Sequence, residues 1–175
     1  MPAPIKLAHV VFQTNRIPEL RDFWCGLLEG KVQFENEATC FICYDEEHHR
    51  VALLNLDTYQ PLDRAKSGMH HVAFTYASLA DLIGTYERLR DRNILPWWTI
   101  RHGPTLSMYY QDPDGNRAEL QVDVYATAQE ANEYMLGPEF EANPIGVEFD
   151  PEDLVAKFHA GAPEQELLVR PPQLA

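Results

Sequence analysis

The sequence has little positive charge. It carries 14 Lys and Arg against 27 Asp and Glu, a formal net charge of −13. Nucleic-acid sites need clustered cations to displace the counterions of phosphate, so no nucleic-acid partner is expected. The acidity favours solubility instead. Long apolar runs are also missing. None approaches the roughly 20 residues that cross a bilayer, and the opening MPAPIKLAHVV has neither a basic n-region nor a small-residue cleavage pattern. A cytoplasmic protein with no membrane partner is therefore expected. Cysteine is scarce: three residues form an odd set, which argues against a disulfide framework. Cys40 and Cys43 do spell C-x-x-C, but within TCFICYDE, which reads as a strand. Residues three apart on a strand point to opposite faces, so this pair cannot share a metal or a disulfide without a turn.

What is present is enough apolar material for one ordinary core, 45% of 175 residues. One domain over residues 1–125 is expected, followed by a helix and a Pro- and acid-rich tail over 126–175. The domain contains an internal repeat. KLAHVVFQTNRIPELRDFWCGLLEGKVQFEN is echoed by GMHHVAFTYASLADLIGTYERLRDRNILPWW, which sets His9 on His71, Val10 on Val72 and Phe12 on Phe74. Each copy opens with a strand and continues into a helix with apolar residues three and four apart: Ile17, Leu20, Phe23, Trp24 and Leu27, then Leu79, Leu82, Ile83, Tyr86 and Leu89. Gly30 and Asn93 mark the turns that end these helices. Three β-rich segments follow in each copy, near 31–35, 39–44 and 49–56, and near 95–101, 105–111 and 116–122. The order is βαβββ twice, in modules of about 5–57 and 68–123. The fold expected is α+β, with the two modules forming one curved mixed sheet around a metal-binding cleft and a helical or irregular C-terminal tail.

Strand alternation assigns faces. Val10 and Phe12 are the helix-facing set, which turns His9, Val11 and Gln13 toward the cleft. Val72, Phe74 and Tyr76 do the same for His71, Ala73 and Thr75, and His70 faces away from His71. Aligning VALLNLD at 51–57 with RAELQVD at 117–123 sets Leu53 against Glu119. That face also takes His49 and excludes His48. Four repeat-related positions thus face the cleft: His9, Leu53, His71 and Glu119. Two imidazoles and one carboxylate on one side of a metal form a facial triad, the arrangement of non-haem Fe(II) oxygenases, because it leaves positions open for substrate and dioxygen. Leucine cannot coordinate, so a four-ligand isomerase site is not formed. The same three ligands also suit Mn(II).

The segment IRHGPTLSMYYQDPDGNRAE, residues 100–119, resembles the signature of the type I extradiol ring-cleavage dioxygenases, a branch of the vicinal oxygen chelate superfamily. His102, Met108, Tyr109, Asp112, Pro113, Gly115 and Glu119 fall on signature positions. LAHVV at 7–11 and MHHVAF at 69–74 are similar to that family's two ligand-His segments, and EEHHRVAL at 46–53 resembles the segment with its catalytic His. The resemblance covers residues 5 to about 125 and implies a one-domain form. It implies His9, His71 and Glu119 as ligands of Fe(II), His49 as the acid-base residue, and His102 and Tyr109 as hydrogen-bonding partners of the bound oxygens. Its substrates are a catechol and O2, and a homo-oligomer is expected. Two other readings stand beside it: another metal-dependent enzyme of this fold, a thiol transferase or isomerase, and a metal-free protein that sequesters an aromatic ligand. One of Trp97 and Trp98 can line a pocket, and alternation sends the other to the core or surface. The tail is expected to wrap the domain, cap the cleft or mediate dimerisation, with a mobile distal end near PPQLA.

Overall fold

The computed structural model describes residues 2–56, 60 and 62–171. The end of the first module at residue 57 and the last residues of PPQLA, 172–175, lie outside the described residues. The chain divides into two compact units, residues 1–68 with the loop 112–116, and residues 69–111 with 117–175. Among the described residues no helix is long and apolar enough to cross a membrane.

The first unit follows the expected order: β1 (Val10–Thr14), α1 (Ile17–Leu28), β2 (Lys31–Glu35), β3 (Thr39–Cys43) and β4 (Val51–Asn55). Its sheet runs β1-β4-β3-β2, with β1 parallel to β4 and the remaining pairs antiparallel. Helix α1 starts with a proline in its first turn, where the missing N–H costs nothing. It buries Ile17, Leu20, Trp24 and Leu27, the stripe that the spacing demands. The left-handed residue that ends it is Glu29, at φ 52°. Gly30 follows because a Cβ there would meet Ile42 Cγ2 at 2.7 Å. The Trp24 ring stacks on Phe12 at 4.7 Å, which fastens the helix to β1.

The second unit repeats the plan with β5 (Val72–Thr75), α2 (Leu79–Arg90), β6 (Trp98–Arg101), β7 (Thr105–Gln111) and β8 (Arg117–Asp123). Ser78 caps α2 by accepting from the Asp81 N–H, Leu79, Leu82, Ile83, Tyr86 and Leu89 are buried, and Asn93 takes φ 58° in the turn beyond. The sheet runs β5-β8-β7-β6 and ends on β9 (Val147–Glu148), with β5 parallel to β8.

The α+β class and the two βαβββ modules are as expected, but the strands form two sheets rather than one. Each module closes its own ladder by laying its first strand parallel to its last, and this pairing is complete within the module. The C-terminal segment is also more ordered than its composition implied. It forms α3 (Ala128–Met135), α4 (Pro138–Ala142), β9 (Val147–Glu148), α5 (Pro151–His159) and α6 (Glu164–Leu168). Strand β9 pairs antiparallel with β6 and covers an edge that would otherwise stand open. Two of its prolines start helices rather than break them: Pro138 and Pro151 each stand in a first turn.

Candidate active site

Within the first unit, the alternation of β1 is as expected. Phe12 and Thr14 are buried, while Val11 and Gln13 are exposed, and His9 precedes the strand on the outward side. The register of β4 corrects one assignment. Phe12 pairs with Leu53 and Val11 with Ala52, whereas in the second unit Phe74 pairs with Leu120 and Ala73 with Glu119. The counterpart of Glu119 is therefore Ala52, and Leu53 belongs to the buried helix side, with 0% exposure. The alignment slips by one residue because β4, VALLN, is apolar on both faces from Val51 to Leu54, so its composition does not mark which residues face the site. Alanine coordinates a metal no better than leucine, so the position still supplies no ligand.

His49 is not on β4. It lies in the bend before Val51, so strand alternation does not set its direction, and it does not exclude His48 either. What places His49 is stacking: its ring lies on Phe41 at 4.7 Å and 16°, and 4.4 Å from the ring of His9. Phe41 is the cross-strand partner of Ala52, on the site face. Burial, then the charges of His9 and His48, hold the pKa of His49 below the ordinary imidazole value, so it is neutral near pH 7. His48 sits beside it, Nδ1 to Nδ1 at 2.6 Å, with a side chain 67% exposed.

Within the second unit, β8 presents Glu119 opposite Tyr109 of β7. Glu119 is only 5% exposed. Its imidazole neighbours among the described residues are His71, Nε2 to Oε2 at 2.9 Å, and His102, Nε2 to Oε1 at 3.9 Å. The proton positions follow from Arg117, which can only donate. Its Nη1 lies 3.1 Å from His70 Nε2, so that nitrogen is bare and the proton of a neutral His70 is on Nδ1. That proton points to His71 Nδ1 at 2.7 Å, which leaves the His71 proton on Nε2, aimed at Glu119. Tyr109 donates to, or accepts from, His102 Nε2 at 2.9 Å. Burial, then the Glu119 carboxylate, push its phenol pKa up, so it stays protonated.

The structure thus brings His9 and His49 together in one unit, and His71, His102, Tyr109 and Glu119 together in the other. Among the described residues no group of three or more His, Cys, Asp or Glu side chains is gathered at metal-binding distances. The donor set nevertheless fits a metal. Two donors at about 2.1 Å on adjacent coordination positions lie roughly 3 Å apart, and His71 and Glu119 meet that spacing. Glu119 is moreover a buried carboxylate that, among the described residues, pairs with imidazoles and with no Lys or Arg, a cost that a cation offsets. Cys40 and Cys43 form no such set. Both are buried and free on β3, and burial, then Glu35, push the Cys40 thiol up to about 12, far from a metal-binding thiolate.

Trp97 and Trp98 do not separate to opposite faces. Trp97 stands in the bend before β6, outside the alternation, and stacks on Trp98 at 5.8 Å. Both rings reach Tyr109, at 6.0 and 4.9 Å, and Arg117 covers Trp97 at 4.3 Å. Together with Tyr86, Leu95, Pro96 and Phe149 they line a cavity of about 300 Å³. Arg117 drew no notice in the sequence, although it stands two residues before Glu119 on the same strand face.

Two βαβββ modules, each with its first strand parallel to its last and a histidine just before that first strand, define a class of repeat-built α+β proteins. The chain belongs to the Glyoxalase/Bleomycin resistance protein/Dioxygenase superfamily, whose family model matches residues 6–120. It is 49% identical to biphenyl-2,3-diol 1,2-dioxygenase 2 of Rhodococcus globerulus, over 93% of this chain and 86% of that protein. Biphenyl-2,3-diol 1,2-dioxygenase 3 of the same organism is 45% identical over 94% of this chain and 88% of its own length. Among solved structures, a glyoxylase/bleomycin resistance protein/dioxygenase domain from Frankia sp. EAN1pec superposes with a TM-score of 0.60 at 16% identity, over 73% of this chain and 98% of that one. At that identity the likeness speaks for the fold alone.

Proposed function

We propose that this protein is an Fe(II)-dependent extradiol dioxygenase that opens a catechol ring beside its two hydroxyls, using O2, with His9, His71 and Glu119 as the metal ligands. The observation that carries this reading is the 49% identity, over nearly the whole chain, to a biphenyl-2,3-diol 1,2-dioxygenase. That name places the broken bond between C1 and C2, next to a diol at C2 and C3, which is cleavage outside the diol. Two imidazoles and one carboxylate support iron over a hard-oxygen cation, although Mn(II) accepts the same donors.

When bound, Fe(II) would supply the electronic link between a catecholate and dioxygen. The side chains supply the remainder. His49, neutral and stacked between Phe41 and His9, takes a proton from a catechol hydroxyl and returns it later in the cycle. Tyr109, kept protonated and tied to His102, offers a fixed hydroxyl to the substrate oxygens. The indoles of Trp97 and Trp98 are an apolar wall beside Tyr109, suited to a second aromatic ring on the substrate.

The test is reconstitution with ferrous iron without air, then addition of biphenyl-2,3-diol in air, following dioxygen uptake and colour. The expected result is one O2 consumed per diol and a yellow 2-hydroxy-6-oxo dienoate. A cis,cis-muconate product, or turnover without oxygen uptake, refutes the proposal, and the second outcome returns the chain to the isomerase and transferase members of its fold.

A further inference from the structure

The C-terminal segment, beyond the end of the superfamily match at residue 120, converges on one corner of the second unit, the β6–β7 turn at His102 and Gly103. The Tyr134 ring of α3 occupies the place of a Gly103 side chain: a Cβ there would meet Tyr134 Cε1 at 2.3 Å. Gly146, at φ 121°, passes so close to β6 that a Cβ would meet the Arg101 carbonyl oxygen at 2.2 Å. Arg170 donates to the carbonyls of Asn143 at 2.7 Å and Glu139 at 2.8 Å. Asn143 closes a tight turn: its Oδ1 accepts from the N–H groups of Ile145 and Gly146, at 3.1 and 2.9 Å, and its Nδ2 donates to the Gly146 carbonyl at 2.7 Å. The turn leaves the Ile145 carbonyl oxygen 2.5 Å from His102 Nδ1.

A carbonyl oxygen only accepts, so His102 Nδ1 carries a proton, and in the neutral ring Nε2 is then bare. Nε2 faces the Tyr109 hydroxyl at 2.9 Å. Tyr109 has one proton and two acceptors beside it, His102 Nε2 and the Glu119 carboxylate. We propose that the Asn143–Gly146 turn is a positioning device for the ring-opening site: through the Ile145 carbonyl it holds His102 as the Nδ1–H tautomer, so that Nε2 accepts the Tyr109 proton. The Glu119 oxygens then stay available as ligands, and the lone pairs of the Tyr109 oxygen face the catechol hydroxyl. The opposite tautomer would donate to Tyr109 and turn the hydrogen bond of the Tyr109 hydroxyl toward Glu119. The role in turnover rests on the function proposed above, and the tautomer does not.

The experiment is long-range proton–nitrogen NMR on the full-length protein with nitrogen-15 histidine, the His102 signals being identified by their loss in His102→Gln. The same preparations, loaded with Fe(II), are assayed with biphenyl-2,3-diol. Wild type shows the Nδ1–H tautomer. Asn143→Ala shifts His102 toward Nε2–H and lowers kcat by about 10- to 100-fold, the cost of a misplaced catalytic group, with KM changed by less than about threefold and iron content unchanged. Asn143→Asp, which keeps the acceptor, retains the tautomer and most of the turnover. An Nε2–H tautomer in wild type overturns the proposal, as does a shifted tautomer with full kcat or a lost kcat with the tautomer intact. Should Asn143→Ala fail to fold, Arg170→Met loosens the same turn and is expected to give the same shift. A wild-type protein that shows the Nδ1–H tautomer yet opens no catechol supports the clamp and overturns the functional reading alone.

Discussion

Asp112 belongs to the Asp-Pro-Asp-Gly stretch that resembles a dioxygenase signature, yet its contacts in the first unit are structural. It is 3% exposed. Oδ1 accepts from the backbone N–H groups of Asp114 at 3.0 Å and Asn116 at 2.7 Å, and Oδ2 accepts from Asn116 Nδ2 at 2.9 Å and Trp24 Nε1 at 3.2 Å. In Asp112→Asn one oxygen can still serve the two backbone donors, but an NH2 group replaces Oδ2 and faces two donors. Asn116 can turn its amide to present oxygen. Trp24 cannot, so its indole N–H loses its bond to Oδ2. Losing such a buried bond costs about 1–3 kcal/mol. Part is offset, because burial outweighs the four hydrogen bonds and raises the Asp112 pKa above the usual carboxylate range, so the neutral amide is easier to bury. The net expectation is a loss of about 2 kcal/mol at pH 7. With a typical urea slope of roughly 1–3 kcal/mol per molar, the midpoint falls by about 1 M. Trp24→Phe made in the Asp112→Asn background should cost less than in wild type, since the Trp24–Asp112 bond is already lost there. The sign with pH follows from the raised pKa: Asp112 contributes most below its unfolded value near 3.8, and the contribution falls as pH rises through its folded pKa. Equal stability of Asp112→Asn and wild type, or strict additivity with Trp24→Phe, would refute this reasoning.

Replacing His9, His71 or Glu119 by alanine should abolish stoichiometric iron binding while leaving the circular dichroism spectrum largely unchanged; full iron content in any one of them removes that residue from the ligand set. His49→Gln should keep its iron and bind catechol without air, yet lose turnover by about 10² to 10⁴, whereas His48→Gln, whose side chain is mostly exposed, should lose less than about tenfold. Loss of iron with His49→Gln would make it a ligand. Leu53→Ala should cost about 2–5 kcal/mol in urea unfolding with the iron content of wild type, because Leu53 packs on the helix side; a loss of metal instead would return it to the site face.

Most of the fold was legible because the repeat supplied two readings of each element. The apolar stripes of α1 and α2 and all six later strands fall within a few residues of their expected ranges, since 3.6- and 2-residue periods survive in any sequence with one buried face. Two sheets rather than one were not legible, because the partner of a strand is written in its register and not in its own alternation. The order in the C-terminal segment was hidden for a different reason. Pro and acidic residues look like linker by composition, yet at helix starts proline matches the fixed φ and acids complement the dipole, as at Pro151, Glu152 and Asp153.

The site shows where alternation stops being an argument. It holds along β1, where each residue from Val10 to Thr14 lies inside the ladder. It fails at His49 and Trp97, each of which stands just outside its strand, where regular strand pairing does not set the direction of the side chain. His49 nevertheless lies against His9, because Phe41 provides a flat surface two strands away in the sheet order and stacking places an imidazole on it. Trp97 stays beside Trp98 for the same kind of reason, held between that indole and the Arg117 guanidinium. Residues that flank strands are therefore positioned by partners distant in sequence, and these partners carry no periodic signal. The Ile145 carbonyl at His102 is the extreme case: a backbone atom 43 residues away, in a segment outside the repeat. A single sequence identifies which chemical groups a site has, and the partners that aim them become visible only with the fold.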